Sequence, residues 1–185
     1  KIMTYQFNSN AQQNPLQPAV VPFTAIKPGG GPRHLAFHPN GKWVYLMEEL
    51  SGHVTMWTYK NGKLNFVQEI DAHAENFNGE RGSADIHVSP DGKFLYASNR
   101  GEVNTIAIFS INKKNGQLTL IGHQSTLGKA PRNFNFDLTG KFLLVGNQNS
   151  DEIVIFKKDS ITGLLIDSGN RITVGKPVCL KWIAN

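Results

Sequence analysis

The sequence predicts an all-β chain built of β-propeller blades, each blade a four-stranded antiparallel meander. Three observations predict it. A short pattern recurs three times, over residues 31–42, 82–93 and 130–141. The same order of apolar strands and polar turns follows each copy. No segment carries a convincing 3.6-residue apolar period of a helix.

The recurring pattern holds the first strand of a blade and ends in a Gly-Lys turn. Its glycines Gly41, Gly92 and Gly140 recur about every 50 positions, the length of a propeller blade. Second strands are expected at 43–47, 94–97 and 142–145, and third strands at 54–59, 105–111 and 153–157. Asn61-Gly62, Asn115-Gly116 and Thr162-Gly163 then mark turns into fourth strands at 64–70, 118–121 and 164–166. Asn-Gly between alternating strands is a strong hairpin signal, because both central residues of that turn take positive φ. At the start, residues 1–7 match a third strand, 8–18 a loop rich in Asn, Gln and Pro, and 22–27 a fourth strand. At the end, 176–182 restart the pattern.

The expected organisation is one partial propeller domain over 1–185. It comprises the end of a blade (1–28), three blades (29–76, 77–126, 127–173) and the first strand of another (174–185). Propellers close with about 4–8 blades, so the missing blades of the same ring, or a second copy, are expected as partners.

Composition narrows the function. With 185 residues, 39% hydrophobic and 18% charged, the chain can bury a sizeable core and is not a disordered one. No apolar run approaches the roughly 20 residues that cross a bilayer, and the first residues carry no secretory pattern. The formal charge is +5, but Lys and Arg are scattered, which argues against nucleic acid and suits a small anionic ligand. Cys179 is the only cysteine, and its apolar neighbours suggest a buried, inert thiol. Gly29-Gly30-Gly31 precedes a strand, so no helix dipole makes it a phosphate loop. No metal-ligand spacing or nucleophile elbow is present, and neither metal nor cofactor is expected.

Candidate site residues follow from the meander. The start of the first strand and the end of the second lie at one end of the sheet, and the first strand is innermost. These positions therefore line the mouth of the central channel. They select Arg33, His34, Glu48 and Glu49 in the first full blade. In the second they select Asp85, His87, Asn99 and Arg100, and in the third Arg132, Asn147 and Gln148. Converging arginines make an anion site, and a carboxylate beside them can act as base or orient a water. Each candidate also has a structural reading: rim ion pairs for the arginines and glutamates, backbone partners for His34, His38 and His87, loop amides for Asp85. Asn40 and Asp91 are expected to form turns.

The strings Gly31-Pro32-Arg33-His34-Leu35-Ala36-Phe37-His38-Pro39-Asn40-Gly41, Ser83-Ala84-Asp85-Ile86-His87-Val88-Ser89-Pro90-Asp91-Gly92 and Leu144-Val145-Gly146-Asn147-Gln148-Asn149-Ser150-Asp151 resemble the bacterial 6-phosphogluconolactonase family of propeller lactonases, over nearly the whole chain. The resemblance implies the C-terminal half of a seven-bladed propeller. It implies a cytoplasmic enzyme that hydrolyses 6-phospho-D-glucono-1,5-lactone in the pentose phosphate pathway. Related propellers cycloisomerise carboxymuconate. Their site of arginine, glutamate, second arginine and histidine maps by position onto Arg33, Glu49 and Arg100, with His34 a weaker counterpart of the histidine. The family often has Asn before the glutamate, where this chain has Glu48. The expected catalytic residues are thus Glu49, Arg33 and His34, with Arg100, Arg132, His87 and Asn147 binding substrate. The general base is Glu49 or a histidine. The alternatives are a muconate-type cycloisomerase and a non-catalytic scaffold.

Overall fold

A computed structural model describes residues 1–183. The first two strands, β1 (Ile2–Phe7) and β2 (Leu16–Thr24), form a two-stranded sheet. Three four-stranded meanders follow. The first is β3 (Pro32–Phe37), β4 (Trp43–Glu48), β5 (His53–Lys60) and β6 (Lys63–Asp71). The second is β7 (Ser83–Val88), β8 (Phe94–Asn99), β9 (Thr105–Ile111) and β10 (Leu118–Ser125). The third is β11 (Pro131–Phe136), β12 (Phe142–Asn147), β13 (Glu152–Lys158) and β14 (Leu165–Thr173). Every pairing is antiparallel, and the described residues include no helix.

The period of two along each strand builds the ring. Side chains alternate between sheet faces, and both faces of an inner strand are buried against neighbouring blades. On β4, Val44 and Leu46 pack toward Ile2 of the half blade, while Tyr45 and Met47 pack on Leu95, Ala97 and Phe109 of the next blade. On β8, Leu95 and Ala97 face back, while Phe94 and Tyr96 face forward onto Phe134, Leu143 and Phe156. The same parity on β12 leaves Phe142 exposed, with no further blade beyond it among the described residues.

Adjacent blades are also latched by a repeated hydrogen bond. The buried phenol of Tyr45 donates to the Gly116 carbonyl at 2.9 Å, and that of Tyr96 to the Gly163 carbonyl at 2.6 Å. Burial pushes both phenols above their ordinary range, so they remain donors. The glycines must be bare: a Cβ on Gly116 would lie 2.4 Å from the Trp43 ring, and one on Gly163 2.4 Å from Phe94. Tyr45→Phe should lower the unfolding free energy by about 1–2 kcal/mol, because the carbonyl loses a buried partner. Urea denaturation checks this, and an unchanged midpoint would remove the latch from the account.

Three local expectations need correction. Strand β2 begins at Leu16 rather than near 22, and Tyr5 pairs with Pro18 across a register shift. Prolines are tolerated there because β2 is an edge strand with one side unpaired. Asn61 and Gly62 both take positive φ, but at 115–116 and 162–163 only the glycine does. The second of these turns is a longer loop, closed by Asn112 N–H on the Gln117 carbonyl at 2.9 Å. Cys179 is exposed rather than buried, because it lines the wide channel cleft beside Arg132 and Asn133, where apolar sequence neighbours do not guarantee cover.

Candidate active site

Strand register sets the mouth of the channel. Pro32 pairs with Glu48, Ser83 with Asn99 and Pro131 with Asn147, so the start of each innermost strand meets the end of the second strand. At that level two adjacent residues point opposite ways. Glu48, Asn99 and Asn147 turn inward and are buried. Asn99 Nδ2 donates to the Ala72 carbonyl and Asn147 Nδ2 to the Thr126 carbonyl at 2.9 Å, tying down the end of the preceding blade. Asn147 is therefore enclosed beneath Gly128 and faces away from the clefts, where the sequence placed it at the channel mouth. Glu48 accepts from the Ser51 hydroxyl at 2.7 Å.

The next residues, Glu49, Arg100 and Gln148, line a cleft of about 520 Å³ at the mouth. Glu49 is clamped by two guanidinium groups from different blades. Arg33 Nη1 donates to Oε2 at 2.9 Å, and Arg100 Nη2 donates to Oε1. Burial alone would raise the Glu49 carboxyl, but hydrogen bonds and charge from Arg100 and Arg33 outweigh it and hold it below its ordinary value. Both arginines are fixed further: Arg33 Nε donates to the Ala84 carbonyl at 3.1 Å and Arg100 Nε to the Gly82 carbonyl at 2.8 Å. Two cations around one anion leave a net positive, pre-oriented donor array.

Deeper along the channel wall, Arg33, His34, Asp85, His87, Arg132, Asn133 and Lys181 line a larger cleft of about 810 Å³. Asp85 is its buried centre. Its Oδ1 accepts from His34 Nδ1 at 2.7 Å and from the Ile86 N–H at 3.0 Å. Its Oδ2 accepts from His87 Nε2 at 3.1 Å, from the Phe134 N–H at 3.2 Å and from Asn133 Nδ2. Burial would raise this carboxyl too, but the bonds from His34, His87 and Phe134 hold it far below the usual range. Arg132 makes no side-chain hydrogen bond among the described residues, whereas Arg33 in the same cleft commits its Nε and Nη1 and keeps Nη2 free.

The three arginines therefore do not meet at one point. Arg33 and Arg100 share Glu49, while Arg132 stands in the deeper cleft. His38, by contrast with His34, is spent on the backbone: its Nε2 donates to the Gly92 carbonyl at 2.9 Å and its Nδ1 accepts from the Asn40 N–H. Asn40 also accepts the Lys42 N–H and Asp91 the Lys93 N–H, as turn formers do. Sequence reading missed Asn133 and Lys181. Both sit at positions equivalent to residues it did single out, Asn133 to His34 and Asp85, and Lys181 to His87. No group of three or more His, Cys, Asp or Glu side chains among the described residues is arranged to hold a metal ion.

Depressed carboxyls give a stability prediction. Glu49, Asp71, Asp85 and Asp91 all lie below their ordinary values. Such groups stabilise the fold above their unfolded values, near pH 4, and lose that contribution as pH falls through the folded values. The urea midpoint should be nearly flat from pH 7 to about 5 and drop steeply below about pH 4. A midpoint that rises on acidification would contradict these networks.

Propeller blades with an arginine-rich channel mouth suit a small anionic ligand, and similarity to known proteins narrows the class. The family model described as "Lactonase, 7-bladed beta-propeller" matches residues 1–182. The chain belongs to that family. It is 52% identical over 166 residues to a 6-phosphogluconolactonase of Formosa agariphila, covering 89% of this chain and 46% of that protein. It is 39% identical to a 6-phosphogluconolactonase of Bacillus subtilis, covering 86% of this chain and 46% of that protein. The structure of a periplasmic gluconolactonase from Pseudomonas aeruginosa superposes with a TM-score of 0.87 at 38% identity, over 92% of this chain and 47% of that one. The chain thus spans about half the length of the curated relatives it matches.

Proposed function

We propose that a complete ring carrying this chain hydrolyses a sugar lactone, with 6-phospho-D-glucono-1,5-lactone as its substrate. The observation that carries this reading is the clamp of Arg33 and Arg100 on Glu49, a fixed donor array beside a histidine. Relatives named 6-phosphogluconolactonase and gluconolactonase support the lactone chemistry.

Lactone hydrolysis needs a base for water and donors for the oxyanion. Glu49 is ionised but saturated by two guanidinium groups, so it serves to hold them. His34 Nδ1 is bound to Asp85, and its Nε2 has no partner among the described residues. His34 Nε2 takes a proton from water as the oxygen attacks the lactone carbonyl carbon. The oxyanion that forms is stabilised by the Arg33 and Arg100 donors. Collapse breaks the bond from that carbon to the ring oxygen, and His34 returns the proton to the departing oxygen. The acid product then ionises and releases one proton to solvent. Arg132, with Lys181 in the same cleft, binds the phosphate. This reaction is cytoplasmic if the substrate is the phosphorylated lactone, since that metabolite does not leave the cell freely; the periplasmic relative marks the other case.

Arg132→Met tests the placement of the phosphate. KM for the phosphorylated lactone should rise about tenfold or more with kcat little changed, as for an interaction made equally in ground and transition states, while KM for unphosphorylated gluconolactone stays put. Equal effects on both substrates would remove the phosphate from Arg132.

A further inference from the structure

The innermost strands of neighbouring blades do not pair through their backbones, and side chains bridge the gap, among them the residue at one equivalent position of each blade. In the third full blade that residue is Asn133, whose Oδ1 accepts the Leu180 N–H of the segment that follows β14 at 2.6 Å. In the second it is Asp85, whose Oδ2 accepts the Phe134 N–H at 3.2 Å. The two residues occupy equivalent positions, as does His34 in the first. An amide therefore suffices for the bridge, and the bridge does not explain a buried carboxylate at position 85.

What distinguishes Asp85 from Asn133 is its two histidines. An ionised carboxylate only accepts hydrogen bonds, so His34 must present Nδ1–H to it and His87 must present Nε2–H. In neutral His34 this leaves the lone pair on Nε2. The His34 side chain is 43% exposed, against 5% for Asp85, so the ring reaches from a buried anchor into the cleft. His87 is turned aside, with its ring edge-on to Phe134 at 4.9 Å.

We infer that Asp85 is a positioning residue: its carboxylate fixes the tautomer and orientation of His34 so that Nε2 faces the reacting water. The inference rests on the lactonase reading only for its kinetic consequence; the tautomer stands apart from any activity. The same logic orients the base of an acyl-transfer triad.

Nitrogen-15 NMR of histidine-labelled protein in the complete ring is the first test. At a pH where His34 is neutral, it should show a protonated Nδ1 and an unprotonated Nε2. A His34 protonated at Nε2 would overturn the inference. The second test is kinetic. Asp85→Asn keeps the bridging amide, as Asn133 does naturally, so it should fold and melt cooperatively. Its kcat should fall about 100-fold, within the range by which a positioned general base contributes, with KM changed less than about threefold. His34→Gln should lose at least as much, and the double variant no more than His34→Gln alone, because the two act as one unit. Full kcat in Asp85→Asn, or losses that add in the double variant, would reduce Asp85 to a strut. If the wild-type ring turns over no lactone, the lactonase reading fails while the tautomer measurement still decides the role of Asp85.

Discussion

Glu49→Gln is expected to lower kcat/KM for the lactone by about 100- to 1000-fold, the cost of losing an oxyanion donor, in a protein that remains folded. The carboxylate receives Arg33 on one oxygen and Arg100 on the other. A glutamine offers one acceptor oxygen, and its NH2 would face the second guanidinium as donor against donor. One arginine must then swing away, and the donor array loses both its geometry and its internal counter-charge. Most of the loss should fall on kcat, since the array acts on charge that develops in the transition state. Stability should change little, because Glu49 is partly exposed and each arginine keeps a backbone carbonyl as partner. Steady-state kinetics with a circular dichroism control reads this. Activity within a few-fold of wild type would remove the clamp from catalysis.

The largest effect on stability is expected from Phe109→Ala, about 3–5 kcal/mol. Phe109 is fully buried on β9 and packs between the first two full blades with Tyr45, Met56, Leu95 and Leu118. Truncation there opens a cavity between two sheets that pack face to face mainly through side chains, so relaxation of one strand cannot fill it. Ile161→Ala is the contrasting change: Ile161 is 86% exposed in a turn, and its loss should stay within about 0.5 kcal/mol. Chemical denaturation distinguishes them. Similar small shifts in both would mean that the blade interface is not the source of cohesion.

The fold was legible because a propeller writes its architecture as repetition. Gly41, Gly92 and Gly140 have φ of 69°, 70° and 68°, so one turn geometry is encoded three times and its period is visible in the letters. Where repetition failed, so did the reading: β2 has no second copy to calibrate its prolines. The convergence of Arg33, Glu49 and Arg100 at the mouth was legible, because strand ends in a meander share an edge. The placement of Asn147 was not legible, because that rule selects two adjacent residues and alternation sends one of them inward. Cys179 was misjudged because apolar neighbours report local character, whereas its position faces the open channel cleft. The Asp85 network was hidden because it joins residues about 50 positions apart on different blades, and only the superposed repeats put His34, Asp85 and Asn133 in one column.

We propose that the channel mouth of the complete ring opens lactones. The most direct test is proton release from 6-phospho-D-glucono-1,5-lactone by the complete wild-type ring, followed at constant pH against the spontaneous rate. Release should be saturable and well above that rate, and competed by the 6-phosphogluconate product. Release indistinguishable from the spontaneous rate at saturating substrate would contradict it.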